Sequence, residues 1–130
     1  MAQYMLLLYN DPANHTKFSS EQGQKAMEKY FAFGQKLRSK NQWISSHKLA
    51  DDPGRVLRIS GGKTATTDGP YSETKEWLGG YYLIEAPSYE TALEIARECP
   101  ILEYGGTIEV REVDARIALH RLETAAASDD

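Results

Sequence analysis

Apolar positions along this chain switch between two rhythms, and the order of the switches predicts an architecture. Tyr4 to Tyr9 is an unbroken run of Met, Leu and Tyr closed by the turn formers Asn10-Asp11-Pro12, the pattern of a central strand covered on both faces. From Ser19 the spacing becomes helical. Met27, Tyr30, Phe31, Gly34 and Leu37 recur at three- and four-residue steps, with Glu21, Lys25, Glu28, Lys29, Lys36 and Arg38 on the other faces. Ser19 with Gln22 three residues on predicts a capping box, and the helix should end near Asn41. Gln42 to Leu49 predicts a second strand, with His47 near its end, broken by Ala50-Asp51-Asp52-Pro53-Gly54. Arg55 to Ile59 and Thr64 to Thr67, joined through Ser60-Gly61-Gly62-Lys63, predict a β-hairpin. Tyr81 to Ala86 is strongly strand-prone and is stopped by Pro87. Ser88 is a good N-cap for a second helix whose apolar stripe is Tyr89, Ala92, Leu93, Ala96 and Cys99, ended by Pro100. A loop over Ile101 to Gly106 should lead to a half-buried strand at Thr107 to Val113. Asp114 to Glu123 predicts a short helix through Ile117, Leu119 and Leu122, and Thr124 to Asp130 has the composition of a disordered end.

The order β-α-β-(hairpin)-β-α-β is the split βαβ arrangement: an α+β, ferredoxin-like domain over residues 1–113, with an antiparallel sheet, both helices on one face, and 114–130 as an extension. The helices suffice for one sheet face only. Strands apolar on both sides therefore predict that a second chain covers the other face, as a homodimer.

Composition narrows the function. A chain of 130 residues reads as one domain, and its one cysteine, Cys99, excludes an internal disulfide and fits a reducing cytoplasm. A net charge of −4 without a clustered basic run argues against nucleic acid or an anionic membrane surface as partner. No leader-like start and no long apolar stretch is present, so the expectation is a soluble, cytoplasmic protein. His15, His47 and His120 lack compact ligand spacing, and Gly61-Gly62-Lys63 and Gly105-Gly106 lack the strand-to-helix setting of a phosphate loop, so no metal or cofactor is expected.

The densest chemistry lies between Asp68 and Gly80. Asp68-Gly69-Pro70 is turn chemistry, and Tyr71, Glu73, Lys75, Glu76 and Trp77 then place a phenol, two carboxylates, an ammonium and an indole on one loop. A solvated, charge-decorated turn has the same composition. If the loop is a site, Asp68 and Glu73 are the acid/base candidates, with His47 joining them if its strand ends nearby. Tyr71, Glu73, Lys75, Glu76 and Trp77 are then the binding candidates.

Tyr4-Met5-Leu6-Leu7-Leu8-Tyr9, the stretch Asp68-Gly69-Pro70-Tyr71-x-Glu73-x-Lys75-Glu76-x-Leu78-Gly79-Gly80-Tyr81-Tyr82-Leu83-Ile84, and Gly105-Gly106-x-Ile108-Glu109-Val110-Arg111 together resemble the YCII-related family in its DGPF-motif branch. The resemblance implies a ferredoxin-like domain of the dimeric α+β barrel superfamily, two chains packing sheet against sheet. It also implies a stress-linked or regulatory role, because genes of this kind are often found beside, or fused with, extracytoplasmic-function sigma factors. Shorter members of the family are thought to use a His at the start of the first helix and an Asp before the proline after the second. Here Ser19 to Met27 holds no His and Cys99 precedes Pro100, so that pair is missing, and Tyr71 stands where the branch has Phe. Two functions stay open: a ligand-binding or regulatory module acting on a small molecule or a protein partner, and a small-molecule enzyme using carboxylate or His acid/base chemistry in the barrel cleft.

Overall fold

A computed structural model describes residues 1–14, 20–68 and 76–120. Four strands, β1 (Ala2–Asn10), β2 (Trp43–Lys48), β5 (Trp77–Ala86) and β6 (Thr107–Glu112), make one antiparallel sheet in the order β2-β5-β1-β6. That order, with α1 (Glu21–Ser39) crossing from β1 to β2 and α2 (Tyr89–Ala96) from β5 to β6, is the ferredoxin-like split βαβ fold. Between β2 and β5, the strands β3 (Arg55–Ser60) and β4 (Lys63–Asp68) pair with each other as a separate two-stranded sheet. Gly61 and Gly62, both at positive φ, close it in the two-residue turn that suits a twisted hairpin.

The core lies between the sheet and the two helices. Leu6 and Ile84 are wholly buried at its centre, surrounded by Tyr4, Leu8, Ala86, Phe33, Leu37, Ala92, Ile95, Ala96, Cys99 and Ile101. Edge-to-face pairs tie sheet to helix: Phe33 on Tyr82 at 5.0 Å and Tyr4 on Tyr89 at 4.9 Å between ring centroids. The Tyr89 hydroxyl also accepts the Glu112 N–H at 2.8 Å, which satisfies a donor on the β6 edge.

Several expectations need correction. The cap of α1 is Ser20, whose hydroxyl accepts the Gly23 N–H at 3.0 Å; Ser19 lies outside the described residues. Phe33 fills the core position on α1 and Phe31 is 68 % exposed, because 30, 33 and 37 share a face that 31 leaves. On α2 the same phase shift buries Ile95 and leaves Leu93 out. The predicted loop at 101–106 begins as a 3₁₀ turn, Pro100–Tyr104, closed by Gly105 at positive φ. No helix forms over 114–120: the Asp114 carboxylate accepts the Arg116 N–H at 3.0 Å and its guanidinium at 3.1 Å, a local turn that competes with helix. The rest of that predicted helix and the predicted disordered end, 121–130, lie outside the described residues.

β5 begins at Trp77, so Gly79 and Gly80 are strand residues and not a loosened entry. A side chain at Gly80 would meet the His47 carbonyl at 2.8 Å, so glycine here allows β2 to lie close against β5. A β-bulge falls at this end of the sheet in β5, where Gly79 is the extra residue opposite the step from Leu8 to Tyr9, and another lies in β2, between Trp43 and Ser45.

Candidate functional site

The strand period of two sends Tyr4, Leu6 and Leu8 toward the helices and Met5, Leu7 and Tyr9 to the opposite face, which no helix among the described residues covers. Register extends this open face across all four strands. One row runs His47, Tyr81, Leu7, Glu109, and the next runs Ser45, Leu83, Met5, Arg111. Met5, Leu7, Tyr81 and Leu83 form its half-buried middle, and the ionisable groups stand at the two edges.

On the β2 edge, His47 Nδ1 and Tyr81 Oη are 2.8 Å apart, and Ser45 Oγ lies 3.4 Å from the same phenol oxygen. The imidazole and phenol rings sit 5.6 Å apart, tilted. A hydroxyl between an imidazole and a serine can pass or hold a proton, the ordinary equipment of acid/base work. On the β6 edge, the Tyr9 hydroxyl donates to Glu109 Oε1 at 3.2 Å, Arg111 lies 3.7 Å from the other carboxylate oxygen, and Thr107 Oγ1 donates to Glu76 Oε1 at 3.4 Å. Partial burial, and then the Glu109 carboxylate that accepts its proton, push the Tyr9 phenol above its usual range, so Tyr9 remains a donor.

The sequence-derived candidates divide. His47 stands on the open face, at the end of β2 as expected, and Glu76 reaches the β6 edge through Thr107. Trp77 opens β5 opposite Asn10. Asp68 ends β4 on the separate hairpin, where it pairs with Arg55 at 3.2 Å with its side chain 82 % exposed. Tyr71, Glu73 and Lys75 lie outside the described residues. Tyr9, Tyr81, Glu109 and Arg111 were not among the candidates. Their signal was present in the sequence, as polar tips at every second position of otherwise apolar strands.

Residues 2–115 match the YCII-related domain. The chain belongs to the YCII-related family. An uncharacterised protein of Rhizobium meliloti (strain 1021) is 34 % identical over 96 residues, covering 73 % of this chain and 77 % of that relative. Cys99 is buried, and burial pushes its thiol up to about 11, so it is a neutral core group and not a nucleophile.

The opposite side of the molecule offers less. A shallow cleft of about 150 Å³ between α1 and α2 is lined by Phe33, Leu37 and Ile95 and bridged by Lys36 and Glu98. Lys36 holds the Glu98 carboxyl below its usual range. None of the sequence-derived candidates lines it. Among the described residues, no three His, Cys, Asp or Glu side chains gather as metal ligands, and no helix is long and apolar enough to cross a membrane.

Proposed function

We propose that the chain works as a ligand-binding module, two copies packing open face to open face and holding a small molecule at the rim of the shared cleft. The observation that carries this reading is the open face itself: Met5, Leu7, Tyr81 and Leu83 side by side across two central strands, framed by His47 and Glu109. An apolar patch rimmed by polar groups marks an interaction surface. A second copy is the occupant that symmetry favours, because one self-complementary patch closes a two-fold dimer. A regulatory role of the kind implied by resemblance to the DGPF-motif branch fits such a module, with the bound ligand as its signal.

The bond between His47 and Tyr81 favours a second reading, an enzyme that moves a proton on its ligand. One experiment addresses both. In a thermal-shift screen of small amphiphilic metabolites, a true ligand raises the melting temperature of the wild type and not of His47→Ala, each compared with its own ligand-free value. A compound that shifts both proteins equally contradicts a site at this rim. Conversion of the hit by the wild type alone selects the enzyme.

A further inference from the structure

We infer that the binding site is composite: His47 and Tyr81 of one copy meet the partner's Glu109 and the partner's Tyr9, so that no single chain holds a complete site. This rests on the face-to-face dimer proposed above. Within one copy, His47 and Glu109 are the two ends of one row, separated by three strand spacings of about 4.8 Å, or about 14 Å. Side chains so placed cannot act on one small molecule together unless the sheet is folded over onto another.

Symmetry brings them together. Two identical sheets packed face to face are related by a two-fold axis lying between them, and aligned packing keeps their strands within about 30° of each other. The axis then runs close to the strand direction or close to the row direction. Along the rows, β2 would lie over β2 and β6 over β6. Along the strands, the edges exchange, and each row lies over itself reversed. His47 then faces the partner's Glu109, Tyr81 faces the partner's Leu7, and Leu83 faces the partner's Met5.

Charge favours the exchange of edges. The β2 edge carries His47 and Lys48, the latter paired with Asp51 at 2.9 Å. Past Asp52, which caps the Gly54 N–H, the hairpin holds three cations (Arg55, Arg58, Lys63) against one carboxylate (Asp68), so the edge as a whole is modestly basic. The β6 edge at the same end of the sheet carries the carboxylates Glu109 and Glu76, with Arg111 one row further on. Exchange sets the basic edge over the acidic one and apolar middle over apolar middle. Packed sheets lie about 10 Å apart, a gap that one histidine and one glutamate span with a small ligand beside them. The dimer then has two equivalent sites, each with an imidazole, two phenols and a carboxylate around an apolar floor. That set suits a small amphiphile with one hydroxyl or carbonyl group that can take or give a hydrogen bond.

Cross-linking tests this without a ligand. His47 and Glu109 are exposed, so His47→Cys and Glu109→Cys should leave the fold intact, and the wild type, whose one cysteine is buried, is the blank. The chains are treated with a bismaleimide whose reach matches the gap of about 10 Å and read on a denaturing gel. The double variant H47C/E109C should shift mostly to a covalent dimer, while each single variant runs as a monomer. The next row, as S45C/R111C, should give the same pattern. A covalent dimer from H47C alone would place the axis along the rows and overturn the inference. So would a double variant that sediments as a dimer yet yields no cross-link. If both variants and the wild type sediment as monomers, the proposed dimer fails, and the composite site fails with it.

Discussion

The two faces of the main sheet are made from the same strands, residue by residue in alternation, yet among the described residues only one is filled by helices. Toward the helices, Tyr4, Leu6 and Leu8 are at most 5 % exposed and pack against Phe33, Leu37 and Ile95. One residue away along β1, Met5 and Leu7 are just as apolar and are only half-buried. A sheet with one solvated face usually alternates apolar with polar. The central strands here do not, while the edges of the same face carry His47 and Glu109. The difference teaches that the helix side specifies the fold, while the open side keeps its apolar middle half-buried and its charges at the edges.

Adjacent residues on β5 give the sharpest way to break that comparison. Ile84 is wholly buried and Leu83 faces the open side. Ile84→Ala should cost about 2–5 kcal/mol in urea unfolding, the range for emptying a core position. Leu83→Ala, measured at protein concentrations that populate the single chain, should cost under about 1 kcal/mol, and equal losses would erase the distinction between the faces.

The next effect is alkaline. Burial raises the Cys99 thiol from its ordinary 9.0 to about 11. A folded value above the unfolded one means that the contribution is complete below the unfolded value and is lost as pH rises through the folded one. Two units correspond to roughly 2–3 kcal/mol between pH 9 and 11. Cys99→Ala should remove this part of the alkaline loss, leaving the part owed to Tyr30 and Tyr82, whose phenols burial also pushes up. An unchanged pH profile of unfolding would contradict a buried neutral thiol.

Smaller effects belong to the helix ends. Ser20→Ala deprives the Gly23 N–H of its acceptor and should cost about 1 kcal/mol by thermal melting. Glu98→Gln removes the partner of Lys36 from a half-exposed pair, so its cost should stay below about 1 kcal/mol. Because Glu98 is lowered in the folded state, its contribution is present above the usual carboxylate range and fades as pH falls through the lowered value. A melting difference between Glu98→Gln and wild type that persisted in strong acid would contradict the pair.

Much of the fold was legible in the sequence because local signals agreed with it. Runs, helical stripes, Pro87, Ser88 and the Gly61-Gly62 turn mark elements that the structure shows within a few residues. Helix phase was harder to read: Phe31 and Phe33 are both aromatic, and only contact with Tyr82 selects Phe33. The open face was harder still. Bulges opposite Leu8/Tyr9 and at Trp43/Ser45 each shift register, and a shift of one residue sends every following side chain to the other face. His47 could be found as a strand-end histidine, but its row with Tyr81, Leu7 and Glu109 exists only once four strands distant in sequence are paired. Asp68 through Trp77 is dense in charge along the chain, whereas the face that the structure brings together is sparse in charge along the chain and dense across it.

Sedimentation velocity of the wild type beside Leu83→Glu tests the central claim most directly. The account predicts a dimer at micromolar concentration for the wild type and a folded monomer, with unchanged circular dichroism, for the variant that sets a carboxylate in the middle of the open face. A monomeric wild type, or a Leu83→Glu protein that sediments as the same dimer, would contradict it.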